Sequence, residues 1–361
     1  MVNATEMYSK LAERFSAAGS ASFVKILEAM TTLEEANLML SLPATCQQLA
    51  AKFSLDEAGL AARLEDMVSR GLILRGAEGG YANHKNITSL HHAALGLVPP
   101  EMRPRIYPLW SKFFYTDWRK ILVDNWELRL DTRGWSTHRV VPARKALMAS
   151  QNIQPEQVLW YEDMVEILKR AKRILIGPCG CRIAWGQCDS PLEVCLHLDY
   201  EGHHNKRASQ IELSFEEALT RMDAAEEVGL VHVPLNTTQG DHFCNCCDDC
   251  CMVLNSLIHY GKVHKILAPS RYRAVIDEER CSGCQICIER CKFDVIEMRK
   301  PEGSKKMKAY IIDEHCMGCG LCIFKCARKA MALELVRPPE HIPTVPKFEV
   351  TVVRRGSEKE A

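Results

Sequence analysis

Two cysteine runs near the C-terminus define the chemistry open to this chain. They are Cys281-Ser-Gly-Cys284-Gln-Ile-Cys287-Ile-Glu-Arg-Cys291 and Cys316-Met-Gly-Cys319-Gly-Leu-Cys322-Ile-Phe-Lys-Cys326. Both follow C-x2-C-x2-C-x3-C, the thiolate spacing of [4Fe–4S] ligation. In it the first three cysteines wrap one cubane and the fourth reaches the neighbouring one. Four-cysteine zinc sites are the alternative, but zinc ribbons seldom add a third Cys two residues beyond a CxxC, and both runs do.

Nine more cysteines lie upstream. Pro178-Cys179-Gly-Cys181-Arg182 follows an expected strand, and Cys188 and Cys195 come after it. The second group is Phe243-Cys244-Asn-Cys246-Cys247-Asp-Asp-Cys250-Cys251. Vicinal cysteines close disulfides only with strain, so metal ligation fits them better. If the chain is helical from Cys247, then Cys247, Cys250 and Cys251 share one face. Nine thiols suffice for two four-thiolate clusters, or for one cluster and a reactive thiolate such as Cys251. Iron–sulfur ligation leads, with zinc and metal-free thiol redox chemistry as alternatives. His197, His203, His204 and His242 lie near these cysteines as candidate ligands or proton donors, although a histidine is more often merely solvated or packed.

The elements around the terminal runs repeat. Ala274-Val-Ile-Asp277 leads into the first and Tyr310-Ile-Ile-Asp313 into the second, and Val295–Met298 and Met331–Leu335 follow them. Strand, cysteine loop, short helix and strand, duplicated, resembles the bacterial two-cluster ferredoxin over residues ~270–336. The resemblance implies one cluster on Cys281, Cys284, Cys287 and Cys326, and a second on Cys316, Cys319, Cys322 and Cys291. The family places proline after the fourth cysteine, where Lys292 and Ala327 stand here. Lys292 and Lys325 add positive charge, which would favour the reduced clusters. The CGCR and CNCCxxCC runs, with that ending, resemble a group of iron–sulfur proteins of anaerobes. This implies iron–sulfur chemistry and names no substrate.

The 361 residues suit several domains, expected at 1–99, 100–267, 268–336 and a tail at 337–361. The expected class is α+β and multidomain: winged-helix-like, then a mixed α/β cysteine-rich domain, then a ferredoxin-like βαβ repeat. In the first, a helix covers Ser22–Leu42 and capping boxes at Thr45–Gln48 and Ser54–Glu57 start two more. Leu72–Tyr81 reads as a hairpin. Residues ~100–160 are rich in aromatics, including Trp110, Phe113, Phe114, Trp118 and Trp126, and read chiefly as core. Strands are expected at His138–Val141, Arg173–Ile176 and Gly229–Val233, with helices at ~155–171 and after the capping box Ser214–Glu217. Ala268-Pro269-Ser270 reads as a hinge, and one strand is expected at Phe348–Val353.

Lys+Arg and Asp+Glu balance at 46 each, giving no electrostatic case for nucleic acid or anionic membrane. With no leader sequence or apolar span evident, eighteen cysteines suggest a reducing cytosol, and so many thiolates an anaerobic host. Dinucleotide fingerprints and P-loops are missing, so electrons would come from a partner such as a ferredoxin, flavoprotein or oxidoreductase subunit. The leading expectation is an electron-transfer subunit or adaptor with two ferredoxin clusters and one or two further clusters. A reductase with a catalytic middle cluster and a redox-sensing regulator are the alternatives; catalytic residues stay unassigned.

Overall fold

The computed structural model describes residues 3–76, 79–200 and 209–344. Its N-terminal part opens with helices α1 (Ala4–Arg14), α2 (Ala21–Met30) and α3 (Leu33–Leu40). The single helix expected over Ser22–Leu42 is two, because Thr32 and Glu35 form a capping box that restarts the chain after an extended Thr31. The Thr45–Gln48 box starts α4 (Cys46–Phe53). The expected Ser54–Glu57 box is replaced: Ser54 closes α4 at φ 54°, and Asp56 caps α5 (Glu57–Ser69) through Gly59 N–H at 2.6 Å. Leu60, Leu64 and Met67 are the buried face of α5. The chain then turns back as an antiparallel hairpin, β1 (Ile73–Arg75) with β2 (Tyr81–Asn83).

The next three helices are α6 (Ile87–Ala94), α7 (Arg103–Phe113) and α8 (Arg119–Arg133), the last two joined by a π-helical turn at Phe114–Trp118. Trp110, Phe113, Phe114, Trp118 and Trp126 are buried, so this aromatic stretch is packed core. Trp118 Nε1 donates to the Met252 carbonyl at 3.1 Å, fastening these helices to the segment that carries the second cysteine group.

After α9 (Arg144–Ala149) and α10 (Met164–Arg170), the chain builds an antiparallel sheet. Its elements in sequence are β3 (Arg173–Pro178), α11 (Gly180–Trp185), β4 (Glu193–Asp199), β5 (Ile211–Leu213), α12 (Phe215–Val228), β6 (Val231–Pro234) and β7 (His242–Cys246). The spatial order is β5-β3-β4-β7-β6. One face buries Ile174, Ile176, Leu196, Leu198 and Phe243 against Met164, Ile167, Leu168, Ala218 and Met222 of α10 and α12. The helix expected over 155–171 is a 3-10 turn at Pro155–Gln157 and then α10. The strand expected at His138–Val141 makes only isolated bridges, to Leu235, Ala268 and His232.

Helices α13 (Leu254–His259) and α14 (Val263–Ile266) lead to the terminal repeat. There β8 (Tyr272–Ile276) pairs antiparallel with β11 (Met331–Leu335). Between them, α15 (Ile286–Arg290) follows the first cysteine loop, and β9 (Ile296–Arg299) pairs antiparallel with β10 (Lys308–Ile311). The hinge expected at Ala268–Ser270 is a packed junction instead. Ala268 exchanges backbone hydrogen bonds with His138 and Val140, Ser270 N–H bonds the Met317 carbonyl, and Ser270 is buried. The strand expected at Phe348–Val353 lies outside the described residues.

Candidate metal centres

The terminal cysteine runs surround two cavities. Cys281, Cys284, Cys287 and Cys326 line one of about 350 Å³. Cys291, Cys316, Cys319 and Cys322 line the other, of about 330 Å³. The fourth cysteine of each run therefore faces the cavity of the other. Two glycines make the loops possible. Gly283 (φ 76°) presses on the Met307 carbonyl and Gly318 (φ 67°) on the Tyr272 carbonyl, so any side chain there would collide with backbone. Backbone N–H groups of Ala274 and Ala330 donate to the sulfurs of Cys316 and Cys326 at 3.4 Å each. Burial pushes the Cys287 thiol up to about 11 and the Cys319 thiol up to about 12, so a metal entering here must displace protons. The four-sided, N–H-lined cavities fit a cubane, which needs one thiolate per iron.

The nine upstream cysteines divide into two groups. Cys179 and Cys181 flank the start of α11, Cys195 sits on β4, Cys244 and Cys246 on β7, and Cys251 beyond β7. These six make a closed ring of thiol contacts: Cys179 to Cys181, then Cys251, Cys246, Cys244, Cys195 and back to Cys179. The Cys251–Cys246 sulfur contact is 3.3 Å. Those hydrogen bonds pull Cys179, Cys244 and Cys251 down, Cys251 to about 5, and push Cys181, Cys195 and Cys246 up. Lowered and raised thiols thus alternate around the ring. The other group is Cys188, Cys247 and Cys250 with Asp249, their ligand atoms all within 4.8 Å of one another. Cys247 to Cys251 form a turn and not a helix, so the expected shared face does not exist: Cys250 and Cys251 point to different groups.

Arg182 stands between the groups. Its guanidinium is buried and donates to Cys247 Sγ and to the Asn245 carbonyl, both at 3.2 Å. Burial works against its charge, but the neighbouring Cys179 and Cys247 sulfurs outweigh it and hold the guanidinium protonated.

Histidines wall the ring. His242 Nε2 lies 3.0 Å from Cys244 Sγ, and its Nδ1 is 3.4 Å from His197 Nδ1. His203 and His204 lie outside the described residues. The sequence reading missed His91 and His92 of α6. His91, His92 and Cys181 bring ligand atoms within 4.8 Å of one another, as do His92, His242 and Cys244. His91 is fully buried, with both ring nitrogens unpartnered among the described residues. Burial, then the nearby His92, lowers it to about 3, so the ring is neutral. Only the adjacency of two histidines hinted at this; their distance in sequence from the cysteines hid it.

The centres adjoin. Lys292, next to Cys291, pairs with Asp248, next to Cys247, at 2.9 Å. Lys325 pairs with Glu227. Both lysines are therefore neutralised, which weakens the charge effect expected from the sequence alone.

A 4Fe-4S dicluster domain family matches residues 280–330. No curated protein matches the chain. The chain thus carries a 4Fe-4S ferredoxin-type domain at its C-terminal end and further cysteine-rich regions before it. Among the described residues, no helix is long and apolar enough to cross a membrane.

Proposed function

We propose that this chain is an iron–sulfur electron-transfer protein acting as a subunit or adaptor of a larger oxidoreductase system. One observation carries the reading: each run of four cysteines lends its fourth member to the other run's cavity. [4Fe–4S] clusters held by Cys281, Cys284, Cys287 and Cys326, and by Cys316, Cys319, Cys322 and Cys291, would supply one-electron transfer. The protein's contribution is to exclude water with Phe293, Val295, Ile296 and Ile311, and to aim N–H groups at the sulfurs. Cys284 is exposed, which leaves its cavity near the surface where a redox partner could dock.

The six-thiol ring is the seat we propose for a further iron–sulfur centre, on Cys179, Cys181, Cys195, Cys244, Cys246 and Cys251. Each sulfur has two sulfur neighbours, so the group is an open ring. A regular ring with every side at the 3.3 Å of the Cys251–Cys246 contact has its centre equally far from every sulfur, beyond the ~2.3 Å reach of one metal–thiolate bond. The ring therefore calls for more than one metal, as a multi-iron core would provide.

Iron and sulfide analysis of anaerobically purified protein tests the reading. Fewer than about eight irons per chain contradicts even the ferredoxin part. Cys181→Ala should remove a separate spectroscopic species and leave both ferredoxin signals.

The helix order and hairpin at the N-terminus support a winged-helix-like reading with a docking role. Nucleic acid is a poor partner for it: Arg63, Arg70 and Arg75 around α5 already pair with Glu34, Glu35, Asp66 and Glu65. One observation favours the alternative of a catalytic middle centre. A cavity of about 260 Å³ lined by His92, Cys195 and His197 opens beside the ring. A ring-centre EPR signal that shifts on adding cyanide would favour it; an unmoved signal leaves the relay.

A further inference from the structure

Cys188, Cys247, Cys250 and Asp249 form a group of their own beside the six-thiol ring, with ligand atoms all within 4.8 Å of one another. Cys188 comes from the loop after α11, and the other three from the turn after β7. Cys188 Sγ is 3.4 Å from Cys250 Sγ and 3.9 Å from Cys247 Sγ. The Asp249 carboxylate contacts all three sulfurs. Four ligands about 2.3 Å from one tetrahedral ion stand about 3.8 Å from each other, which is the spacing seen. A cubane, with one thiolate on each of four irons, holds its thiolates further apart.

We propose that these four residues bind a single tetrahedral zinc ion, separate from the iron of the protein. The donor set suits zinc, a borderline-soft ion that accepts thiolate and carboxylate together. The support around it is of the kind that structural metal sites require. The Gln187 N–H donates to Cys250 Sγ at 3.2 Å, and the buried Arg182 guanidinium donates to Cys247 Sγ at the same distance. Three thiolates and one carboxylate leave a zinc complex with a net charge of −2, which the Arg182 cation partly offsets. The half-buried Asp249 and Cys188 give the ion a path in. Bound there, it would tie the loop after α11 to the turn whose Asp248 meets Lys292 of the ferredoxin-type domain.

The test is metal analysis and zinc K-edge X-ray absorption on the full-length chain, purified anaerobically from medium containing both iron and zinc. Roughly one zinc per chain is expected, with three sulfurs near 2.3 Å and one oxygen near 2.0–2.2 Å. Asp249→Cys should keep the zinc and turn its shell to four sulfurs. Cys188→Ser should lower zinc occupancy severalfold while iron content and cluster EPR stay as in the parent. A chain without zinc overturns the proposal, as does an Asp249→Cys shell still containing oxygen, or a Cys188→Ser protein that loses iron in place of zinc. Iron is counted in the same samples, so failure here is distinguishable from failure of the electron-transfer reading.

Discussion

His138 shows how a single buried side chain ties stability to pH. Its ring stacks on Trp126 with centroids 4.5 Å apart, and its Nδ1 has no partner among the described residues. Burial lowers it to about 3. Below pH ~6.5 the unfolded chain takes up a proton that the folded chain refuses, so stability falls as pH drops from there toward 3. His138→Phe keeps the stack and removes the titration. Urea unfolding at pH ~7 and ~5.5 should show the parent losing about 1 kcal/mol more than the variant. Equal losses would mean that His138 is protonated in the folded protein. Among the residues of the centres, the two terminal cysteine runs were legible because their C-x2-C-x2-C-x3-C spacing is local, even though each fourth cysteine lines the other run's cavity. The ring was not legible: it joins Cys181 to Cys251 and sets His91 beside Cys181, contacts that only the sheet and the α6–α11 packing create.

At the scale of elements, the terminal repeat is docked on the rest of the chain. Tyr272 and Leu333 are buried, Leu333 N–H bonds Ser150 Oγ at 2.7 Å, and Ala143 N–H bonds the Cys319 carbonyl at 2.9 Å. Arg290 reaches from α15 to the last carbonyls of α12, at 2.6 and 2.7 Å, where a cation also meets the negative end of the helix. At the centre of the dock, Arg271 pairs with Glu162 at 2.7 Å, both buried. Burial raises the Glu162 carboxyl despite that partner, which shows how exposed to desolvation it would be alone. Arg271→Met should therefore cost about 3–5 kcal/mol, read by urea unfolding. A cost under about 1 kcal/mol would show that the dock is loose. The boxes Thr45–Gln48 and Ser214–Glu217 were readable because a capping box is local chemistry. Strands β4 and β7 were not, since Cys, His and Asn there lack the β-branched alternation that marks a strand.

Over the whole molecule, the Lys292–Asp248 pair joins the cysteine turn after β7 to the terminal cysteine runs. Removing Lys292 leaves Asp248 as an uncompensated negative charge beside the cavity that Cys291 lines. Lys292→Met should shift one ferredoxin cluster to a more negative potential and leave the other unmoved, and adding Asp248→Asn should largely restore it. Redox-poised EPR reads both; an equal shift of the two clusters would place the pair midway between them. The most direct test of the account is the crossed ligand pattern itself. Four single variants of the full chain, Cys281→Ser, Cys291→Ser, Cys316→Ser and Cys326→Ser, would be reduced and compared by EPR. Cys291→Ser should alter the same signal as Cys316→Ser, and Cys326→Ser the same signal as Cys281→Ser. If Cys291→Ser instead matched Cys281→Ser, each run would hold its own cluster and the account would be wrong.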